Sequence, residues 1–194
     1  MWFFYSKTAR FWDVVLTIAF VIFGILAIFT LLIAMIAPKG ADGASQVFGY
    51  ELRIVTSDSM DKCAQTDVSA YEIGSIKKNT MIAIEHVPSR EAEAYDWYSN
   101  VKVGDVLTIR YAYDRQVTIT HRVTAINPNL DGDGYIIELA GDNKNSDSTQ
   151  LFQTIDTSEL ESHNYVIGKV VWTSYVFGVI IGGFQRVTKA LVSD

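Results

Sequence analysis

Residues 106–126 read VLTIRYAYDRQVTITHRVTAI. Val106 to Tyr113 and Val117 to Ile126 are β-branched or aromatic at most positions, and Asp114-Arg115-Gln116 between them is a short polar loop. That is the pattern of a β-hairpin, and the apolar recurrence at about every third or fourth position that marks a helix is weak here. Outward from the hairpin the same texture repeats. Tyr135 to Ala140 (YIIELA) follows the turn Asp131-Gly132-Asp133-Gly134, and Thr80 to Val87 (TMIAIEHV) and Gly49 to Val55 (GYELRIV) precede it. Short strands at this spacing predict a barrel or twisted sheet and argue against a parallel α/β core. Ser89 to Ser99 (SREAEAYDWYS) is a polar insertion with room for one helical turn and no assignable chemistry. Asp131 and Asp133 sit as in the opening of a calcium loop. Position twelve of that loop is Asp142 and the flanks are strands, so a plain hairpin turn is the better reading.

Further out, Val14 to Ala37 runs 24 residues without a charge. At about 1.5 Å per residue this is enough helix to cross a bilayer, and it exceeds the roughly 7 to 15 apolar residues of a cleavable secretory signal. A retained anchor is expected at 14–37, after a short segment at 1–13. Lys7 and Arg10 precede the span and the region after Lys39 is acidic, which places the amino terminus in the cytoplasm and the domain at 40–172 outside. A second apolar run, Val170 to Phe184, has 15 residues between Lys169 and Arg186. Tyr165 to Trp172 reads as a strand, leaving 173–194 as an apolar membrane-proximal segment with a basic tail. A second true span is the competing reading, and the basic carboxy terminus suits it.

The 194 residues suffice for one modest domain plus an apolar element. Residues 1–40 carry three bases and one acid, 41–165 carry ten and twenty, and 166–194 carry three and one, so the middle stands at -10. No segment supplies the concentrated positive surface that phosphate recognition needs, which excludes a nucleic-acid binder. The single cysteine, Cys63, rules out an intramolecular disulfide and a thiolate cluster for metal, and reads as a small half-buried side chain.

Three polar patches fall at strand ends: Thr56-Ser57-Asp58-Ser59-Met60, Thr120-His121-Arg122-Val123, and Gly141-Asp142-Asn143-Lys144-Asn145-Ser146-Asp147. Serine, histidine and carboxylate from separate segments form the set that nucleophilic acyl transfer uses. Serine attacks, imidazole takes its proton, and carboxylate orients the imidazole. Taken singly, each residue also suits a turn, a half-buried strand position or an Asx turn.

The ordered combination is more specific. Ser-Asp-Ser-Met (57–60) after an anchor and a strand, then Gly-Asp-Val-Leu (104–107), Thr-His-Arg-Val (120–123) and Gly-Asp-Asn (141–143), resembles the type I signal peptidases. The branch it resembles is that of archaea, endospore-forming bacteria and the endoplasmic reticulum, in which histidine replaces a general-base lysine. Over about residues 10–185 the resemblance implies a signal-peptidase-like β domain on a membrane helix. It implies a serine endopeptidase that cleaves preprotein signal peptides at the lipid surface, without metal or organic cofactor. Ser59 is then the nucleophile and His121 the base, with Ser57 assisting the Ser59 N–H at the oxyanion and Met60 beside the substrate. The orienting acid is Asp147 or Asp142. The family's second aspartate usually lies six residues beyond the Gly-Asp aspartate, whereas position 148 here is Ser148 and Asp147 is five residues on. His86 and His163 read as surface residues, and Lys77 and Lys78 lie in a turn where they make a poor substitute base. The rival from another class is a non-catalytic membrane-anchored β domain serving assembly or adhesion of exported proteins.

Overall fold

The computed structural model describes residues 7–36, 46–64, 66–111, 117–130, 134–145, 153–158 and 165–192. The chain divides into two compact units, Met1–Pro38 and Lys39–Asp194.

The first unit is helix α1, Lys7–Ile36. Within it, Arg10–Thr30 is long and apolar enough to cross a membrane, with a mean hydropathy of 2.5. From Val14 onward its described side chains are apolar but for Thr17 and Thr30, and almost all are exposed, as Phe20 and Phe23 illustrate. A helix of this kind has no amphipathic seam to lay on a core, and its length and composition suit a membrane span.

The second unit is mainly β. Its strands are β1 (Gln46–Val47), β2 (Tyr50–Ile54), β3 (Met81–His86), β4 (Val106–Arg110), β5 (Thr118–Pro128), β6 (Tyr135–Ala140), β7 (Gln153–Asp156) and β8 (Val166–Ser174). They form one sheet in the order β1-β2-β3-β8-β4-β5-β6-β7, and every neighbouring pair is antiparallel. The central hairpin pairs Val106 with Arg122, Leu107 with His121 and Thr108 with Thr120. β1 turns into β2 through Phe48 and Gly49, whose φ values of 52° and 82° give the left-handed pair that tight hairpins need. The segment 89–99 is more ordered than a single turn. Helix α2 spans Glu91–Ser99, carries Glu91 and Glu93 in its first turn, where the helix dipole favours acids, and buries Ala94 and Tyr98 one turn apart.

Alternation along the strands splits the apolar residues between two faces. Leu107, Val123, Leu139 and Val166 pack with Ala94 and Tyr98 of α2 in one core. Their strand neighbours Val106 and Ile167 join Val55, Met60, Ile76 and Ile84 in the other. The long connection from Val55 to Thr80 lies over this second core, and it carries Ser59.

The apolar run at 170–184 belongs to two elements. Strand β8 continues to Ser174, and helix α3 spans Tyr175–Val192. Gly178 of α3 is pressed against the backbone at Asn79 to Met81, where any Cβ would collide with the Asn79 carbonyl. The outward face exposes Val176, Phe177 and Ile180. Among the described residues, α1 alone has the length and hydropathy of a span.

Candidate active site

Among the described residues, parts of two strand edges beside the same cavity lack a ladder partner. β5 pairs with β4 from Thr118 onward, but its ladder to β6 begins only at Arg122, so the second edge of Thr118 to His121 is unpaired among the described residues. β2 pairs with β3 along Tyr50 to Ile54, while β1 covers only Tyr50 and Glu51. Between these edges lies a cavity of about 420 Å³, lined by Arg53 to Ser57, Ser59, Ile82, Tyr111 and Val117 to His121. Arg53 reaches across, its Nη1 donating to Thr118 Oγ1 at 3.1 Å, and its Nε contacts the Glu51 carboxylate.

Ser59 and His121 thus reach one cavity from separate elements, and both are deeply buried at 4% and 1% exposure. The turn that presents Ser59 is pinned at three points. The Asn143 N–H donates to the Ser59 carbonyl at 2.9 Å, Asn143 Nδ2 donates to the Asp58 carbonyl at 3.2 Å, and the Ile76 N–H donates to the Met60 carbonyl at 2.9 Å. Ser57 Oγ lies 3.2 Å from Ser59 Oγ at the cavity wall. No hydrogen bond joins Ser59 to His121 among the described residues. Met60 takes no part in the lining. It is 1% exposed and packs in the second core, so the sequence motif spends its methionine on anchoring the serine turn.

His121 Nδ1 lies 3.0 Å from Gln153 Oε1. A carbonyl oxygen can only accept, so in this orientation of the Gln153 amide a neutral imidazole carries its proton on Nδ1 and keeps a lone pair on Nε2. Burial pushes the imidazole below its ordinary pKa of 6.5, against smaller upward pulls from the Gln153 bond and the Asp142 charge.

Asp142 is committed elsewhere. Its Oδ1 and Oδ2 accept from Arg122 Nε at 2.9 Å and Nη2 at 2.7 Å. The same guanidinium donates to the carbonyls of Ile73, Gly104 and Gly74, and it lies 4.8 Å from the centre of the Tyr71 ring. Gly104, at φ 99°, has no side chain because the Tyr71 ring occupies that space. The Asp142 carbonyl accepts from Thr66 Oγ1 at 2.7 Å, with the half-buried Cys63 thiol 3.8 Å away. The structure therefore gives Asp142 to a buried ion pair and Gln153 to the histidine. Asp147, the other acid expected to orient the imidazole, lies outside the described residues, as do His163 and the Asp131-Gly132-Asp133 turn.

His86 is no surface residue. It is half-buried, with Nε2 2.9 Å from the carboxylate of the buried Glu51. Lys77 and Lys78 are exposed and do not line the cavity. Among the described residues no cluster of His, Cys, Asp and Glu could hold a metal ion. Two residues of the site lay outside the sequence reading. Arg53 sits in a strand whose pattern marks only half-burial, and Gln153 opens a four-residue strand too short to announce itself. No family model and no curated protein matches the chain.

Proposed function

We propose that this chain is a membrane-bound serine endopeptidase that removes amino-terminal signal peptides from exported preproteins. One observation carries the reading: Ser59 and His121, the two residues that the motif order singles out, line the same cavity between unpaired strand edges. A peptide in extended form satisfies such edges with backbone hydrogen bonds, and the scissile carbonyl then lies over Ser59. Ser59 rotates about χ1 away from Ser57, attacks the carbonyl carbon and passes its proton to His121 Nε2. The tetrahedral oxyanion takes hydrogen bonds from the Ser59 N–H and the Ser57 hydroxyl. The imidazolium returns its proton to the leaving amine as the C–N bond breaks. A water molecule, deprotonated by the same nitrogen, then splits the acyl-serine ester. Preference for small side chains next to the cut is part of the same proposal and comes from the resemblance in the sequence.

The anchor belongs to the same proposal. With α1 crossing the bilayer and Lys7 and Arg10 on the cytoplasmic side, the β domain lies outside, where signal helices end. The exposed apolar face of α3 supports contact with that same lipid surface. A protease added to intact cells should cut a tag placed after Asp42 and spare one placed before Lys7. The reverse pattern would sink the topology.

The deciding experiment is incubation of the purified protein in detergent with a preprotein, followed by amino-terminal sequencing of any product. Cleavage after a small residue by the wild type, absent with Ser59→Ala, is the expected result. Failure of the wild type to cleave any exported preprotein would leave the non-catalytic anchored β domain as the better reading.

A further inference from the structure

We propose that Gln153 is the positioning residue of His121, so that this site uses an amide in place of a carboxylate. The inference rests on the catalytic reading above and adds to it the identity and chemistry of the orienting group.

The sheet register shows how Gln153 gets there. In β7 it pairs with Leu139 of β6, which pairs with Val123 of β5. Val123 and His121 are two residues apart and leave the same face of β5, so Gln153 is a diagonal neighbour of the imidazole across β6. One step beyond the ladder pair of Arg122 with Ala140 stands Gly141, which has no side chain to block the path.

Among the described residues, which do not include Asp147, the nearby charges are otherwise accounted for. Asp142 holds Arg122 with both oxygens, and Arg53, on the other wall of the cavity, is in contact with Glu51. Tyr111 is the remaining titratable group in the lining. That leaves the 3.0 Å contact with Gln153 Oε1 as the hydrogen bond that fixes Nδ1 among the described residues.

An amide does half of what a carboxylate does. It selects the Nδ1–H tautomer and so leaves Nε2 free to accept the serine proton, but it carries no charge to stabilise the imidazolium. Orientation of the Gln153 amide decides the matter. Its Nε2 is buried and has no hydrogen-bond partner among the described residues. Turned around, it would donate to Nδ1 and force the proton onto His121 Nε2, which could then accept nothing from Ser59.

Two measurements test this. The first needs no activity. Nitrogen-15 NMR of the folded full-length protein in detergent, with His86→Gln and His163→Gln to isolate the signal, should show His121 as the Nδ1–H tautomer above pH 7. Gln153→Met should lose that preference. An Nε2–H tautomer in the parent, or a tautomer unchanged by Gln153→Met, would overturn the proposal even if Ser59 is the nucleophile.

The second measurement is kinetic. Gln153→Met should lower kcat by about 10² to 10⁴ with KM little changed, because the lost contact orients a proton acceptor and does not bind substrate. Gln153→Glu should recover most of that rate and move the acid limb of kcat/KM up by about one pH unit, since a carboxylate now faces the imidazole. A glutamine out of contact with the imidazole would give no such shift. Full rate in Gln153→Met, or an unmoved limb in Gln153→Glu, would contradict the assignment. Loss of cleavage in Ser59→Ala measured alongside tells that failure apart from failure of the peptidase reading.

Discussion

His121 and Arg122 are adjacent on β5, both almost fully buried, and their side chains leave opposite faces of the strand into opposite kinds of environment. Arg122 makes five hydrogen bonds: two to Asp142 and three to the carbonyls of Ile73, Gly104 and Gly74. Every donor position of its fork has an acceptor, so the face it serves is locked. Among the described residues the His121 side chain has one hydrogen bond, to Gln153, and it lines a cavity. The pair of residues teaches how to tell scaffold from chemistry in this domain. A buried polar group with all its capacity used holds loops together, and one with capacity kept in reserve beside a serine is, under the proposed function, the group that exchanges a proton.

The largest effect that distinguishes the two is on turnover. His121→Ala should lower kcat by more than about a thousandfold while the thermal melt stays close to the parent's, because the lost group acts in the reaction. The comparison breaks if His121→Ala retains most of its activity. Next in size is stability on the other face. Arg122→Met leaves the buried Asp142 carboxylate without a partner and should cost about 3–5 kcal/mol, seen as a lower denaturation midpoint. Asp142→Asn should likewise unfold more readily, yet the folded fraction should keep far more activity than His121→Ala does. An Asp142→Asn enzyme with an undiminished midpoint and a loss near 10⁴ in kcat would mean that the carboxylate serves the histidine after all.

A smaller, graded effect follows from burial of the imidazole. Its pKa lies below 6.5, so His121 stays neutral and competent at pH 6.5, and kcat/KM should fall only as pH drops through the lower folded value. The same shift links to stability. Above 6.5 the imidazole is neutral folded or unfolded. As pH falls from there, the unfolded chain binds the proton first and the native state loses stability until the folded pKa is passed. His121→Gln should flatten that part of the stability profile, and a rate that falls well above pH 6.5 would contradict the burial argument. The smallest effect belongs to Met60. As a packed core side chain it should tolerate Met60→Leu with a cost under about 1.5 kcal/mol and unchanged cleavage specificity, measured on a small peptide series.

Much of this arrangement was legible in the sequence because it rests on local pattern. The hairpin at 106–126, the strands at 80–87, 49–55 and 135–140, and the apolar span all announce themselves by period and composition. β1 did not, because its turn uses Phe48 where an Asn or Gly is usual, and a two-residue strand has no period to read. β7 did not because QTID mixes polar and apolar residues on a half-exposed rim. The apolar run after Lys169 misled in its extent. β8 takes its first residues for the sheet, and only the close approach of Gly178 to Asn79 shows where the helix docks. At the site, the motif order singled out Ser59, His121 and Met60 alike, and that Met60 packs in the core away from the cavity lining is a tertiary fact. Gln153 was invisible for a similar reason. Nothing in a lone glutamine signals a diagonal contact across a sheet.

The central claim is that Ser59 and His121 act as one unit. Its most direct test is a double-mutant cycle on preprotein cleavage with Ser59→Ala, His121→Ala and the double variant, each checked for intact fold. Each single change should remove more than about a thousandfold in kcat, and the double variant should be no slower than the worse single, because one proton transfer can be lost only once. Losses that multiply, or a single variant that retains most of its turnover, would show that the two residues do not share a reaction.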